Sequence, residues 1–344
     1  MAYNLASMTV KVRSFAKINL GLRIGAARED GFHELLTVYQ TIALHDVIGV
    51  SVMRGSGIEI RCDDARVPKD QSNTCYRIAE KTMHALKAKG RVIVEIEKRL
   101  PVQGGMGGAS SNAVAALVAL ERAVKQSMPA EERLRIVAEV GSDLPLFLVG
   151  GTVLGVGRGE QVYPLEDLPA MACVVVTPEV GVSTPKAFAE WDRRVSQRRL
   201  KLNSFASARA VEAKLTLGGA SDRMGELSRA LSAWLGKSYS GAPFGRGRAE
   251  NPLLALVRAG IKNDFEQVVF PEYPELSKAK RALERAGAKY ASLSGSGSTL
   301  YGMFASKEAA RVAAQKLRHQ GWAAQATATL TRKQYWAKFL VSRF

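Results

Sequence analysis

The fold is decided by one stretch, Pro101 to Leu120, which reads PVQGGMGGASSNAVAALVAL. Its four glycines, Gly104, Gly105, Gly107 and Gly108, lack the Cβ that blocks left-handed backbone angles or close approach to a ligand. Consecutive N–H groups of such a loop can point into one concavity. Ser110 or Ser111 is predicted to cap the alanine-rich helix that follows, whose N-terminus carries unpaired donors and a partial positive charge. Loop and helix together predict a site for the phosphates of a nucleotide triphosphate.

Glycine-rich turns before helices also occur in proteins that bind no phosphate, and two common phosphate loops do not match this stretch. A Walker loop ends in Gly-Lys-Ser/Thr, whereas no lysine follows these glycines. A Rossmann loop follows a strand that is buried on both faces. The run from Arg91 to Lys98 instead alternates, with Val92, Val94 and Ile96 on one side and Glu95 and Glu97 on the other.

Composition and charge limit the classes of function. The chain has 344 residues, of which 47% are hydrophobic, enough for two folded domains. A net charge of +17 is compatible with nucleic acid, an anionic membrane or phosphorylated metabolites as partners. We find no RNA-binding aromatic signature, zinc finger, leader or apolar run of roughly 20 residues, so we expect a cytoplasmic protein without a dedicated nucleic-acid or membrane role. Cys62, Cys75 and Cys173 form no CxxC pair and are predicted to be buried, reduced thiols.

The N-terminal residues predict a strand with an unusual polar pair. Thr9 to Phe15 alternates as a half-buried strand does, and Lys17 and Asn19 then follow among apolar neighbours. Burying either side chain is costly without a partner, although an isolated lysine is more often found on an edge strand. Next comes Asp30-Gly31, a turn signal, and then the pair Phe32-His33, which suits an aromatic base but is also compatible with an ordinary core.

Further elements follow from caps and periodicity. Strands are predicted at Val47 to Met53 and Gly57 to Cys62, and a helix from the caps Ser72 and Asn73 to Gly90. Asp143 opens a helix after Gly141, where a carboxylate is commonly a cap. Thr184 is predicted to cap a helix with Pro185 at its first position. Strands and helices in the second half follow the order β-α-β-β-α-β of a ferredoxin-like split unit.

Several of these motifs resemble those of the GHMP small-molecule kinases, in the form whose acceptor carries a cytidine diphosphate group. PVQGGMGGASSNA resembles the second signature of this family, and SFAKINLGL (14–22) resembles its opening motif. The SGSGS turn (294–298) resembles the third signature, although by itself it could be a plain tight hairpin. REDGFHE, GSDLPLF and TPKAF resemble further segments of that form. Gln103 and Ala109 stand where such kinases usually have glycine, so we expect an altered loop shape with retained phosphate binding.

The resemblance implies a role for each matching residue. Lys17 and Asp143 are expected to be catalytic, with Asp143 as the base. The acceptor is expected to contact Asn19, Phe32, His33, Thr184 and Phe188, with cytosine stacked between Phe32 and Phe188 and its edge read by His33. ATP is expected to lie against Pro101, Gly104, Gly105, Gly107, Gly108, Ser110, Ser111 and Asn112, with Mg²⁺ near Ser110 or Ser111. Ser294, Gly295, Ser296 and Gly297 are expected to form a phosphate-side or acceptor-side loop.

The resemblance also implies an α+β fold of GHMP kinase type. A ribosomal-protein-S5-like α/β domain (1–165) would face a ferredoxin-like domain (166–344) across a cleft. The implied reaction is ATP-dependent phosphorylation of the 2-hydroxyl of 4-diphosphocytidyl-2-C-methyl-D-erythritol by a monomer or weak homodimer. The alternatives are a homoserine or mevalonate type of kinase, and a non-catalytic nucleotide- or nucleic-acid-binding protein. A basic insertion at 192–250, with 12 Lys/Arg against 5 Asp/Glu, contains no catalytic motif, and its middle (209–235) is predicted to be helical.

Overall fold

The computed structural model describes residues 9–102, 104–205 and 261–341, with side chains of the helix that begins at Thr184 described to residue 197. Gln103 and residues 206–250 of the predicted insertion lie outside this part of the chain. The expectations for an altered loop at Gln103 and for helices at 209–235 therefore fall outside the described residues.

The described residues form ten strands and nine helices, numbered here in chain order. The strands are β1 (Val10–Ala27), β2 (His33–Met53), β3 (Ile58–Cys62), β4 (Arg91–Glu97), β5 (Thr152–Val156), β6 (Gln161–Pro164), β7 (Ala172–Val176), β8 (Tyr290–Leu293), β9 (Leu300–Phe304) and β10 (Ala324–Ala328). The helices are α1 (Thr74–Ala85), α2 (Gly108–Val124), α3 (Ala130–Val140), α4 (Leu144–Val149), α5 (Thr184–Phe205), α6 (Glu266–Glu272), α7 (Pro274–Arg285), α8 (Lys307–His319) and α9 (Arg332–Phe339).

The first sheet is built on a long antiparallel hairpin of β1 and β2. Its strand order is β3-β4-β2-β5-β6, with β1 also paired to β2, and only the β3–β4 pair is parallel. The strand predicted at Val47 to Met53 is the end of β2, which continues from His33 through Asp46 and Gly49 without a turn. Three register shifts interrupt the β1–β2 pairing, including one between Phe15 and Lys17 and one between Asn19 and Gly21. Such bulges bend a strand and change where its side chains point.

The helices of the first half confirm most sequence signals and contradict one. Asn73 caps α1 by accepting a hydrogen bond from Cys75 N at 2.8 Å, as predicted, although α1 ends at Ala85, before Gly90. The prediction that Ser110 or Ser111 caps α2 is wrong. Gly107 is the N-cap, with φ +67°, and both serines lie inside the helix. A glycine can turn the chain into the helix at a left-handed angle that serine adopts only with strain.

The second sheet confirms the predicted split unit. Its order is β10-β7-β9-β8 with all neighbours antiparallel, and α5 to α7 and α8 occupy the two crossovers. The two sheets share one core cluster, in which Ile18 and Leu20 of β1 pack with Val175 and Tyr301 of the second sheet. At the end of the described chain, α9 returns to the first core, where Tyr335 contacts Phe15 with 5.4 Å between ring centroids.

Two simpler expectations concern thiols and membranes. All three cysteines are buried and free, and burial raises the pKa of the Cys173 thiol to about 12, so this thiol stays protonated at neutral pH. Among the described residues, no helix combines the length and apolar composition needed to cross a bilayer.

Candidate functional site

The glycine loop joins β4 to α2 and lies against both halves of the fold. The backbone N–H of Lys17 donates to Met106 O at 3.0 Å, so the loop is attached to β1. A Cβ added to Gly105 (φ +73°) would lie 2.6 Å from the carbonyl oxygens of Ser294 and Gly297. No side chain fits there, because real Cβ atoms do not approach oxygen so closely. The glycine at 105 is therefore required by the contact between this loop and the 294–298 turn.

One cavity, of about 340 Å³, lies on the outer side of the glycine loop. Of the predicted phosphate-binding residues, Pro101, Gly104, Gly105, Gly107, Gly108, Ser110 and Asn112 line it, as do Lys98 and Arg66. The first hydrogen bond of α2 is Ser111 N to Gly107 O at 2.8 Å, so the preceding N–H groups have no acceptor within the helix. Backbone N–H groups that have no acceptor among the described residues, at the N-terminus of a helix, suit an anion with several oxygens.

The two candidate serines have different surroundings. Ser110 lines the cavity and is partly exposed. Ser111 is 2% exposed, and its hydroxyl accepts a hydrogen bond from Ser14 Oγ of β1 at 2.7 Å. Ser111 therefore ties α2 to β1, whereas Ser110 is open to a ligand. Ala109, one of the two departures from the family pattern, lies in the first turn of α2, where alanine is well tolerated.

A buried carboxylate holds both ends of the glycine loop. Asp46 of β2 is fully buried and accepts hydrogen bonds from Lys98 Nζ, Arg99 N and Leu100 N, each at 2.7 Å. Its second oxygen also accepts from Asn112 Nδ2 of α2 at 3.0 Å. A carboxylate with this many donors is fixed in place, so the residues before and after the glycine loop keep one relative position.

Lys17, Asn19 and Asp143 meet at the inner side of the loop. Lys17 is 3% exposed, donates to Asn19 Oδ1 at 2.7 Å, and lies 3.4 Å from Asp143 Oδ2. Lys17 is therefore buried and partnered, unlike a solvent-exposed edge-strand lysine, although β1 pairs only with β2 among the described strands. Asp143 precedes α4 but makes no capping hydrogen bond, and its side chain is 34% exposed. The cap interpretation of Asp143 is thus wrong, and the carboxylate is open to a ligand.

Tyr39 of β2 completes this group. Its hydroxyl donates to Asp143 Oδ1 at 3.1 Å, and its ring centroid lies 5.6 Å from Lys17 Nζ. Burial, with the negative charge of Asp143 adding to it, holds the pKa of Tyr39 well above its ordinary value. Tyr39 therefore stays protonated at neutral pH and orients one carboxylate oxygen, while the other lies beside Lys17.

A second cavity, of about 280 Å³, opens beside this group and is lined by residues of both halves of the chain. All five predicted acceptor-binding residues line it: Asn19, Phe32, His33, Thr184 and Phe188. Lys17 and Asp143 line it too, as do Gly105 and Gly107, which also line the first cavity. The glycine loop is thus the wall between the two cavities, with Lys17 and Asp143 on its inner side.

The aromatic residues of the second cavity are arranged differently from a simple sandwich. Phe188 stacks on His33, with centroids 4.9 Å apart and ring planes 12° apart, and meets Phe265 edge-on at 5.0 Å. Phe32 is 50% exposed, and the Arg158 guanidinium lies over its ring at 5.0 Å. Phe32 is therefore not a core residue, and its ring is available to a flat ligand at the cavity mouth.

The 294–298 turn lies between the glycine loop and the second cavity. Ser294 Oγ donates to Gly105 O at 3.0 Å, Gly295 and Ser296 line the cavity, and Thr184 Oγ1 is 2.7 Å from Ser296 Oγ. Asn263 holds the turn by donating to the carbonyl oxygens of Leu293 and Gly295 at 2.8 and 2.7 Å.

Sequence reasoning missed Tyr39, Asp46, Asn263 and Arg158. Two of them left a visible signal. Asp46 is the only acidic residue in the mostly apolar run ALHDVIGV, and Asn263 lies in the polar run Lys-Asn-Asp shortly before α6. Tyr39 and Arg158 lie in stretches that strand and turn propensities explain without a ligand.

Comparison with known proteins matches both halves of the chain. Residues 73–151 match the family model described as GHMP kinases N terminal domain, and residues 249–322 that described as GHMP kinases C terminal. The 4-diphosphocytidyl-2-C-methyl-D-erythritol kinase of Solibacter usitatus (strain Ellin6076) is 37% identical over 298 residues, which are 87% of this chain and 82% of that protein.

Solved structures give the same result for the fold. A crystal structure of 4-(cytidine 5'-diphospho)-2C-methyl-D-erythritol kinase is similar with a TM-score of 0.67 and 28% identity, covering 93% of this chain and 98% of that one. A homoserine kinase from Cytophaga hutchinsonii is similar with a TM-score of 0.63, covering 96% and 97%, but at 18% identity it shows the shared fold alone. The predicted α+β fold of GHMP kinase type is confirmed.

Proposed function

Because the chain belongs to the GHMP kinases and, within them, to the 4-diphosphocytidyl-2-C-methyl-D-erythritol kinases, we propose that it phosphorylates the 2-hydroxyl of that acceptor with ATP. One observation carries the choice of acceptor. The adjacent residues Phe32 and His33 are far from Phe188 in the sequence, yet all three line one cavity together with Lys17 and Asp143. An acceptor with a flat base at one end and a hydroxyl at the other fits that arrangement.

Asp143 is the general base of the proposed reaction. Its carboxylate takes the proton of the 2-hydroxyl while the hydroxyl oxygen forms a bond to the γ-phosphorus of ATP. The bond from that phosphorus to the β–γ bridging oxygen breaks, and ADP leaves. The Tyr39 hydroxyl holds Oδ1 at 3.1 Å, so the carboxylate is oriented before the acceptor binds. No covalent phosphoenzyme is needed.

Lys17 supplies the fixed positive charge. It lies 3.4 Å from Asp143 and 2.7 Å from Asn19 Oδ1, and almost no solvent reaches it. A buried ammonium interacts strongly with negative charge that develops nearby, because little water screens it. Its second effect is to hold the Asp143 carboxylate in place through their ion pair.

The residues of the outer cavity fit ATP and its magnesium ion. Mg²⁺ prefers oxygen ligands and is usually bound through one or two protein groups together with substrate phosphates. Ser110 offers a hydroxyl at the start of α2, and Asn112 Oδ1 is buried with no hydrogen-bond partner among the described residues. Ser110, rather than the buried Ser111, is the proposed serine ligand. When bound, the ion offsets negative charge on the phosphates.

A coupled ADP-release assay across acceptors tests the proposed function. We expect turnover with the cytidine-diphosphate-linked methylerythritol and little or none with homoserine or mevalonate. Preference for either of those two would reject the acceptor assignment while leaving the kinase fold intact. Tight RNA binding without any turnover would instead support a non-catalytic role of the basic chain.

A further inference from the structure

His33 is held by two residues of one helix. Phe188 and Asp192 are four positions apart in α5, so they lie on the same helix face. Phe188 stacks on the imidazole plane, and Asp192 Oδ1 lies 2.7 Å from Nε2 at its edge. A stacked face and a bonded edge together fix both the plane of the ring and its rotation within that plane.

The helix that carries these two residues is itself anchored. Ala187 and Trp191 are buried in the second core, and the Arg194 guanidinium donates to the carbonyl of Gln267 in α6. Asp192 therefore approaches His33 from a rigid element, although its own side chain is 53% exposed. His33 is 7% exposed and starts β2, so neither partner can move far.

The contact determines which imidazole nitrogen carries the proton. An ionised carboxylate only accepts hydrogen bonds, so Nε2 of His33 must be the donor. In the neutral ring Nδ1 then carries a lone pair and is an acceptor. Within the described part of the chain, Nδ1 has no hydrogen-bond partner of its own, while His33 lines the acceptor cavity.

We infer that Asp192 is a positioning residue that fixes His33 as the Nε2-protonated tautomer and thereby sets the base specificity of the acceptor cavity, a role that rests on the proposed function. Cytosine presents an amino donor where uracil presents a carbonyl acceptor. An imidazole nitrogen restricted to accepting binds the amino group of cytosine and opposes the carbonyl of uracil. The basic insertion predicted at 192–250 thus begins with a residue of the site.

Asp192→Ala removes the carboxylate, and the exposure of this side chain means that the fold should tolerate the change. We expect the KM for the cytidine-linked acceptor to rise about tenfold, the effect of losing one well-placed hydrogen bond, with kcat within twofold and the KM for ATP unchanged. The preference for a cytidine-linked over a uridine-linked acceptor should fall by about the same factor. Asp192→Asn, whose amide oxygen can still accept from Nε2–H, should restore part of both.

Glu190→Gln is the matched control, because it removes a negative charge from the same helix at a side chain that pairs only with Arg193 and Arg194 among the described residues. It should change neither the acceptor KM nor the base preference. Imidazole ¹⁵N spectra, in a chain with four histidines, report the tautomer directly. We expect a pure Nε2–H signal for His33 in the wild type and a tautomer mixture in Asp192→Ala.

Two results would overturn the role of Asp192. An unchanged base preference in Asp192→Ala, in a wild type that does discriminate cytidine, would make the contact merely structural. An Nδ1–H tautomer in the wild type would contradict the assignment even if no acceptor were used. If the wild type phosphorylates no cytidine-linked acceptor, the proposed function fails, and the ¹⁵N spectra still decide the tautomer.

Discussion

Asp143→Asn is the change that best separates catalysis from structure in this protein. Asparagine has the same shape as aspartate and keeps an oxygen that can accept from the Tyr39 hydroxyl, now 3.1 Å away. It cannot take a proton from the acceptor hydroxyl. Since Asp143 makes no capping hydrogen bond to α4, no cap is lost with the charge.

The two energies involved differ enough to be told apart. Losing a positioned general base lowers turnover by roughly 10² to 10⁴, or about 3–5 kcal/mol in the barrier. The effect on the free energy of unfolding should be about 1 kcal/mol or less, because the Asp143 side chain is 34% exposed and solvent screens its pair with Lys17. Lys17 keeps its hydrogen bond to Asn19, so it is not left without a partner.

The assay is single-turnover transfer from ATP, run beside a thermal melt and a measurement of ATP affinity. We expect a loss of turnover of roughly 10² or more, a melting temperature within about 4 °C of wild type, and ATP affinity nearly unchanged. Asp63→Asn makes the same chemical change at an exposed carboxylate and should have no effect. Turnover at the wild-type rate in Asp143→Asn would show that Asp143 is not the base.

Three further predictions use the same assays. Lys17→Met should lower turnover by roughly 10² to 10⁴, because the fixed positive charge is lost. The melting temperature should stay unchanged, because a buried cation is replaced by an apolar side chain of similar size. Wild-type activity would mean that Lys17 has only a structural role. Phe188→Ala should raise the acceptor KM by the equivalent of about 1–3 kcal/mol, because a base-stacking ring is lost, and should leave the KM for ATP unchanged. Equal effects on both substrates would place Phe188 outside the acceptor site. Replacing residues 206–248 by a short Gly/Ser linker should keep kcat within a few-fold. It should reduce kcat/KM only at low ionic strength, where the basic insertion attracts anionic substrates over more than about 8 Å. A collapse of kcat in a variant that melts cooperatively would assign the insertion to the active site.

The sequence predicted best the features that local physical chemistry determines. Alternation gave β4, the Asn73 cap gave the start of α1, and the order of elements in the second half gave the split unit that the second sheet confirms. These depend on neighbours within a few residues of each other. The family resemblance supplied the rest of the fold and the site residues, which periodicity alone would not have identified.

Predictions from local sequence patterns were wrong where two patterns favour different structures for the same residues. Serine and glycine are both suitable N-caps; the left-handed backbone at Gly107 starts α2 there, so the predicted caps Ser110 and Ser111 lie within the helix. β2 begins at His33 and includes the strand predicted at Val47 to Met53, because bulges bend it without ending it. Neither outcome is visible in composition.

The contacts that complete the site join residues that are far apart in the chain. Tyr39 and Asp143 are 104 positions apart, Asp46 and Lys98 are 52, and His33 and Asp192 are 159. Each partner has an ordinary local explanation, so only the folded chain shows that it serves the site. The stacking of Phe188 on His33 likewise depends on β2 and α5 meeting across the cavity.

The central claim is that the glycine loop separates an ATP cavity from an acceptor cavity, with Lys17 and Asp143 at the point where the two meet. Transfer of ³²P from [γ-³²P]ATP to the cytidine-linked methylerythritol, with the phosphorylated position read by ³¹P–¹H correlation on product made from unlabelled ATP, tests it most directly. We expect one product, phosphorylated on the 2-hydroxyl, formed by the wild type and almost absent with Asp143→Asn. Label on another hydroxyl, or label released only as inorganic phosphate in the presence of the acceptor, would contradict it.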